Sequence, residues 1–517
     1  MKKFLIIFFL FLVSCSAFDE YSNYSIQNYY YEENYGQTTL FFKTIEKTSV
    51  DITFTLSEIN IISDKETITQ LLEKPLTINS LLTAGKQIFL SEKYVPEGKY
   101  KMLQLILKEA IIKKGDKIAN MALASEVVEI PIDIYLKKGE NITFFLTWQP
   151  DSSIKDGHIF IPSIFIEKPA KELLSLAIYV TNENSNNVSV INKQKVEVTN
   201  TIKVGKKPKG IITNFSTNKP RVYVVNSASN SISVIDPFNC KVEIEIPIKF
   251  GKNPEAIGIG KLNSGKNLIF VANYGSDNIS IIDEMTYEEI DRVNVGSGPV
   301  AIAVDPPIEN FSFTELNFEE ISFLKRYREK FLNVYVANKN SNNISIIKID
   351  SSSGRVLRVN DVKVGWNPIA MYLDYQKAKL YIANYNSDII SVINIVQIYK
   401  ENFHQVSNIS NVGVSVTGIV SDTEIKRLYL IKEFTDEMTI IRLFEDSIIP
   451  LRTAYIMETV PVGKSPRALI LDPEARKIYV VNRGSNNITV IDKTTNKVEK
   501  VIPVGKNPYG IAFFQSK

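Results

Sequence analysis

Residues 476–508 read RKIYVVNRGSNNITVIDKTTNKVEKVIPVGKNP, and variants of that stretch fill the C-terminal two-thirds of the chain. Each copy holds an aromatic residue in a β-branched strand that runs into Asn. A short polar turn follows, then a second apolar strand, a third that ends in Val-Gly, and a proline that opens a fourth. The seven strand aromatics are Tyr179, Tyr223, Phe270, Tyr335, Tyr381, Tyr429 and Tyr479, spaced by 44, 47, 65, 46, 48 and 50 residues. One spacing is long because residues 308–331 are inserted. Four strand-forming segments per period in the forties bury their faces only by stacking copy on copy, the signature of a propeller. The expected fold is all-β: a seven-bladed β-propeller over residues 176–517, preceded by a small β-sandwich.

The motif residues have structural work to do. Alternating apolar positions in the aromatic strand face both neighbouring blades. Asn, Asp and Ser in turns such as Ser485-Asn486-Asn487 tolerate left-handed backbone and bond to it locally. Asp236, Asp283 and Asp492 end a strand where a carboxylate can accept turn amides. Gly205, Gly251, Gly296, Gly365, Gly463 and Gly505 let the chain leave the outer strand, and the prolines two residues before Gly210 and Gly510, with their counterparts, stiffen its return to the hub. The sixth repeat departs most: Lys432 stands where Asn is expected, and Val416 replaces the proline.

Repeat phase adds topology. With hub-to-rim strands named A to D, the array starts at a B strand (Ile178) and ends at an A strand, residues 509–513. The last segment is therefore expected to return and complete the first blade, leaving no open edge. The Asn-rich B–C turns and the VGxxP connections share one face of the disc. The insertions at 308–330, 395–411 and 444–456 fall on the other, where the N-terminal unit is also expected. Phe318, Ile321, Phe323, Leu324 and Tyr327 are spaced as in an amphipathic helix, expected to cap the disc or pack on the sandwich.

The sequences YVTN, YVVN, FVAN, YVAN, YIAN and YVVN, each with a VGxxP element or a near variant, resemble the YVTN-type β-propeller repeat family. The likeness covers about 340 residues. Proteins of that kind occur in surface layers and adhesins as well as among enzymes, so it implies architecture and no single activity.

At the N-terminus, Lys2 and Lys3 precede an apolar run, Phe4 to Val13, too short for a membrane span and typical of a secretion signal. Leu12-Val13-Ser14-Cys15 resembles the lipobox of bacterial lipoproteins, which implies cleavage after residue 14 and acylation of Cys15. Several acyl chains anchor a protein durably. Ser16 stands where a retention signal would place Asp, which favours the outer over the inner membrane. Residues 15–37, rich in Tyr, Asn and Glu, read as a disordered tether. Residues 38–168 carry short β-branched and aromatic runs between turn signals such as Pro96-Glu97-Gly98, which predicts a β-sandwich. They resemble an uncharacterised β-sandwich domain of bacterial lipoproteins.

The formal charge, +3 for the whole chain and +1 without Lys2 and Lys3, gives no grip on nucleic acid. With Cys15 acylated, Cys240 lacks a partner, so no disulfide is expected. A propeller's usual binding place is the mouth of its channel, ringed here by the residues after each proline: Lys209, Glu255, Val300, Ile369, Thr417, Arg467 and Tyr509. Lys209, Glu255, Thr417, Arg467 and Tyr509 are the candidate ligand-facing set. It lacks paired carboxylates and histidine, so no catalytic residue, cofactor or side-chain metal site is read from it, although a hub calcium on backbone carbonyls would need few side chains. His158 and His404, the two histidines, lie outside the hub and cannot supply haem or copper ligation. These observations point to a monomeric, lipid-anchored envelope protein that binds a protein or glycan. The runner-up is a metal-dependent, lactonase-like hydrolase working through Glu255 and Arg467.

Overall fold

The computed structural model describes residues 34–513 apart from 215–218, 308–315, 444–453, 473 and 475. The signal segment, Cys15 and most of the expected tether lie outside the described residues. The rest is all-β: two N-terminal sheets on one core, then seven antiparallel four-stranded sheets.

The first N-terminal sheet orders its strands Ser163–Glu167, Asn141–Gln149, Tyr35–Thr44 and Gln87–Pro96. The first strand thus begins at Tyr35, inside the stretch read as tether. The second sheet is built on Asp51–Ser63 and Gly98–Lys114. Ser57 and Glu58 interrupt the alternating apolar pattern of the former. The chain nonetheless keeps one strand with register shifts on either side of Leu56, and the Ser57 hydroxyl donates to the Ile106 carbonyl (2.9 Å). Phe42, Phe54, Trp148 and Phe160 are buried between the two sheets.

Seven sheets make seven blades. Blade 2 runs in chain order through Pro208–Asn214, Arg221–Asn226, Ser231–Asp236 and Lys241–Pro247, and blades 3 to 7 repeat that order. Blade 1 takes strands B to D from Ala177–Asn182, Asn187–Asn192 and Glu197–Lys203. Its hub strand is Pro508–Phe513, paired antiparallel to residues 178–182. The ring closes through its own chain end, as repeat phase predicts.

The motif residues form one interlocking unit. Asn182, Asn226, Asn273, Asn338, Asn384 and Asn482 are wholly buried, and each bridges its own B–C hairpin; Asn182, for example, donates to Asn187 Oδ1 (2.8 Å) and Ser189 Oγ (2.9 Å). The glycine of the preceding VGxxP loop lies flat against that amide. A Cβ on Gly205 would stand 2.6 Å from the Asn226 side chain, and one on Gly505 2.7 Å from Asn182. Close approach, rather than positive φ, is what requires glycine there. Asp236, Asp283 and Asp492 accept turn amides at 2.8–2.9 Å. In blade 6 the Lys432 amine pairs with Glu437 (3.2 Å), so an ion pair replaces the amide pair.

The N-terminal unit lies elsewhere than expected. It packs on the rim, over the outer strand of blade 1 and against that of blade 7, rather than on the face that carries the insertions. Gln87 exchanges two hydrogen bonds with the Val198 backbone (both 2.9 Å), and Thr143 bonds Thr201 (2.5 Å). Phe41 and Phe145, stacked at 5.4 Å, join Val198, Ile502 and Val504 in one core. The reason is in the outer strand EVTNTIK of blade 1. Its outward positions are the neutral Thr199 and Thr201, where KVEIEIP of blade 2 carries Glu243 and Glu245. The helix Phe318–Lys330 forms as its spacing predicts, opened by a capping box at Asn317 and Glu320. It caps the insertion-bearing face. Leu324 and Arg328 are buried, Tyr327 stacks on Tyr399 at 3.9 Å, and Arg328 donates to the Lys261 (2.7 Å) and Pro306 (3.1 Å) carbonyls.

Candidate functional site: the channel mouth

Each hub strand opens at the motif proline, or at Val416 in its place in blade 6, and its next residues face the central channel. Gly or Ala occupies the second residue after the proline in every blade: Gly210, Ala256, Ala301, Ala370, Gly418, Ala468 and Gly510. The third is always aliphatic or Met, as in Ile211, Ile302 and Met371. Small residues keep seven strands close around the axis, and the ring beneath makes the wall apolar. The cavity is about 270 Å³. Neither ring was singled out from the sequence, although both follow from aligning the seven PxGIA segments.

The first residues after the proline ring the mouth. All five candidates converge, and they bond to one another along five consecutive blades. Thr417 of blade 6 donates its hydroxyl to the Pro466 carbonyl (2.6 Å), and Arg467 of blade 7 donates Nη1 to the Thr417 carbonyl (3.3 Å). Arg467 Nη2 donates to the Tyr509 hydroxyl of blade 1 (2.6 Å), which donates to Glu255 Oε2 of blade 3 (2.8 Å). Lys209 of blade 2 closes the arc as an ion pair with Glu255 Oε1. The Arg467 guanidinium also lies 4.4 Å over the Tyr509 ring. Val300 and Ile369 of blades 4 and 5 leave the remaining sector apolar.

Electrostatics follow from this packing. Burial pushes the Tyr509 hydroxyl above its ordinary value, partly offset by Arg467. Burial works against the charge on Arg467, yet Tyr509, Glu255 and Glu433 outweigh it and raise its pKa. Just outside the arc, Glu433 feels burial too, but hydrogen bonds from Tyr385 (2.6 Å) and Ser465 (2.7 Å) hold its carboxyl below the usual range. Tyr385 is pushed up to about 12 by burial and by Glu433. On the same face two aromatics missed by sequence reading stand in solvent: Trp366, 69% exposed, in a VGxxP loop, and Phe434, 71% exposed, in the B–C turn of blade 6. The signal was available, since Trp366 stands where five of the other six loops carry Lys or Ser, and Phe434 where the other B–C turns carry Asn, Ala or Gly. Among the described residues no group of three His, Cys, Asp or Glu is placed to hold a metal ion. Cys240 is half-buried, and burial raises its thiol.

No family model matches the chain, and neither does any curated protein. Solved structures do. A functionally unknown protein from Desulfotomaculum acetoxidans aligns over 66% of this chain and 100% of its own, with 12% identity and a TM-score of 0.51. Kuenenia stuttgartiensis hydrazine synthase aligns over 61% and 92%, with 19% identity and a TM-score of 0.47. The β-propeller domain of Myceliophteria thermophila Cps50 aligns over 61% and 91%, with 8% identity and a TM-score of 0.43. At such identities a likeness speaks to the fold alone.

Proposed function

We propose that this is a lipid-anchored binding or scaffold protein of the cell envelope. In this reading acylated Cys15 holds it to the outer membrane, and the mouth face of the propeller holds a protein or glycan without turnover. The observation that supports it is the state of the mouth. Its one carboxylate, Glu255, has both oxygens engaged, by Lys209 and by the Tyr509 hydroxyl. Glu255 so held ties the arc together, and no second carboxylate stands in the arc to act as its partner acid or base. Trp366 and Phe434 instead offer exposed aromatic surface of the kind that anchors interfaces.

The test is retention of a partner from native envelope extract by the mature chain carrying Cys15→Ser. A bound protein or glycan is expected, and Trp366→Ala with Phe434→Ala should reduce its recovery at least tenfold. An unchanged yield would move the interface off this face. Lactone hydrolysis supported by a divalent ion and abolished by Glu255→Gln would replace this reading with the hydrolase.

A further inference from the structure

We infer that the hub of the propeller is a binding site for a small amphipathic carboxylate, its head paired with Arg467 and its apolar body in the channel. The inference goes beyond the macromolecular partner proposed above and does not depend on it.

Arg467 carries the argument. Four lysines with little exposed surface are each paired with a carboxylate: Lys193 with Asp472 (2.7 Å), Lys493 with Asp422 (2.6 Å), Lys432 with Glu437 (3.2 Å), and Lys209 with Glu255. The wholly buried Arg328 is saturated by carbonyls and a hydroxyl. Arg467 differs. Among the described residues its guanidinium donates to one carbonyl and one phenol and forms no ion pair. Its nearest acids are committed, Glu255 to Lys209 and Glu433 to Tyr385 and Ser465. Lys209 and Glu255 pair with each other, and Glu433 acts on Arg467 only from outside the arc, so Arg467 is the cation of the mouth that lacks a carboxylate in direct contact.

The chemistry of the ligand follows from what surrounds that charge. A planar guanidinium fixed over the Tyr509 ring presents a fork suited to two carboxylate oxygens. Below it the channel is walled by small and aliphatic residues, and at about 270 Å³ it is slightly smaller than the roughly 300–1,000 Å³ of pockets for drug-sized ligands, a size for a short chain. An ion without an apolar body would leave that wall facing water, and an apolar molecule without a charge would leave Arg467 unanswered. A short-chain carboxylate satisfies both.

Titration calorimetry on the mature chain carrying Cys15→Ser tests this with butanoate, hexanoate and octanoate against 1-hexanol and 1-octanol. Affinity should rise about fourfold per methylene until the channel is full. The alcohols should bind about tenfold more weakly than the matching carboxylates. Arg467→Gln should erase that preference while the alcohols bind as before. Ala370→Leu, which fills the channel, should weaken octanoate most and keep the preference for carboxylate. Both variants are first checked for unchanged melting, and the two substitutions stand as independent probes. Octanoate giving no heat at millimolar concentration, alcohols binding as well as carboxylates, or Arg467→Gln keeping the preference would each overturn the site. If a partner is retained from envelope extract but octanoate gives no heat, only the hub site falls. If octanoate binds and no partner is retained, only the macromolecular reading falls.

Discussion

Blades 1 and 6 are both irregular, in opposite senses. Blade 1 is irregular in connectivity: its hub strand comes from the far end of the chain, some 300 residues from its other three, yet its chemistry is regular. Asn182 bridges Asn187 and Ser189, and Gly505 lies against Asn182 as the motif requires. Blade 6 is one continuous run of chain whose chemistry has drifted. Lys432 and Glu437 stand for two asparagines, Val416 stands for the proline, and Gly413 takes a φ of 81° where the other VGxxP glycines do not need positive φ. Both blades nonetheless reach the same four-stranded sheet and the same packing between neighbours. The ring therefore demands a filled hairpin and a close loop; which residues supply them, and from where along the chain, is secondary.

The largest break in this comparison is to remove the donated strand. Truncation before Pro508 would leave blade 1 with an open edge between Ala177–Asn182 and the channel, and would delete Tyr509 from the mouth. The expected outcome is loss of the cooperative melting transition of the whole propeller, followed by circular dichroism. A truncated chain that melts at the parent temperature would show that the ring does not depend on closure.

Next in size is the pairing of glycine with asparagine. In blade 1, Gly505→Ala drives a Cβ to within 2.7 Å of Asn182, whose Nδ2 is held by Asn187 and Ser189, at a cost of about 1–3 kcal/mol. Shortening the neighbour, with Asn182→Ala, should relieve part of that cost, so the double-mutant cycle is strongly non-additive. In blade 6 the same cycle should be additive. Gly413→Ala costs about 1 kcal/mol through its left-handed φ, whereas its nearest neighbour, the Lys432 amine at 3.1 Å, can swing away. Equal coupling in the two blades would contradict the contrast between them.

These elements also mark what was legible in the sequence. The blade count, ring closure and strand order followed from spacing and phase alone, because a four-strand repeat has few ways to bury its faces. The five polar mouth residues followed too, since a fixed position after each proline fixes a place on the hub. Their mutual bonding did not follow. That depends on side chains 42 to 254 residues apart meeting across blades. The seat of the N-terminal unit was misjudged because the entry point of the chain was read in place of the surface. The outer strand of blade 1, with Thr199 and Thr201 where blade 2 has glutamates, was the better guide. Glu433 was missed because its place in the B–C turn varies from blade to blade, and Asp305 although it stands at the end of its hub strand as Asp374, Asp422 and Asp472 do at theirs. Asp305 is pushed up by burial and held by the Tyr335 (3.1 Å) and Tyr399 (2.7 Å) hydroxyls, the second of them from an insertion.

The seat on blade 1 also brings a pH dependence opposite in sign to that of Glu433 in blade 6. Glu92 of the N-terminal unit accepts from Asn187 Nδ2 (2.9 Å), and burial raises its pKa to about 7, against the opposing pull of Ser185, Asn187, Lys506 and Lys203. A carboxyl with a raised pKa binds its proton more tightly in the folded state. Its contribution to stability is therefore full below about pH 4.5 and is lost as pH rises through about 7. The expected loss between pH 5 and pH 8 is on the order of 1–2 kcal/mol, and Glu92→Gln should remove it. A Glu92→Gln protein with the parent's pH profile in urea unfolding would reject the assignment.

The smallest effect separates strain from fit. The residue before the hub proline, or before Val416, takes a left-handed φ in every blade: Lys207, Asn253, Gly298, Asn367, Ser415, Ser465 and Asn507. Asn, Ser and Gly occupy six of the seven positions, and blade 6 keeps to this rule with Ser415. The exception is Lys207, φ 50°, on the loop that leaves the otherwise regular blade 1. Its backbone N–H is satisfied by Asn186 Oδ1 at 2.8 Å, as that of Asn253 is by Asn230 and that of Asn507 by Asn486, so the loop's bonding does not depend on the lysine side chain. Lys207→Asn should therefore stabilise the protein by about 0.5 kcal/mol, since Asn tolerates left-handed backbone better than Lys. Ser415→Asn, already at a tolerant residue, should change stability by less. If Lys207→Asn destabilises the chain, the lysine is held by contacts that offset its backbone strain, and the drift seen in blade 6 has a counterpart in blade 1.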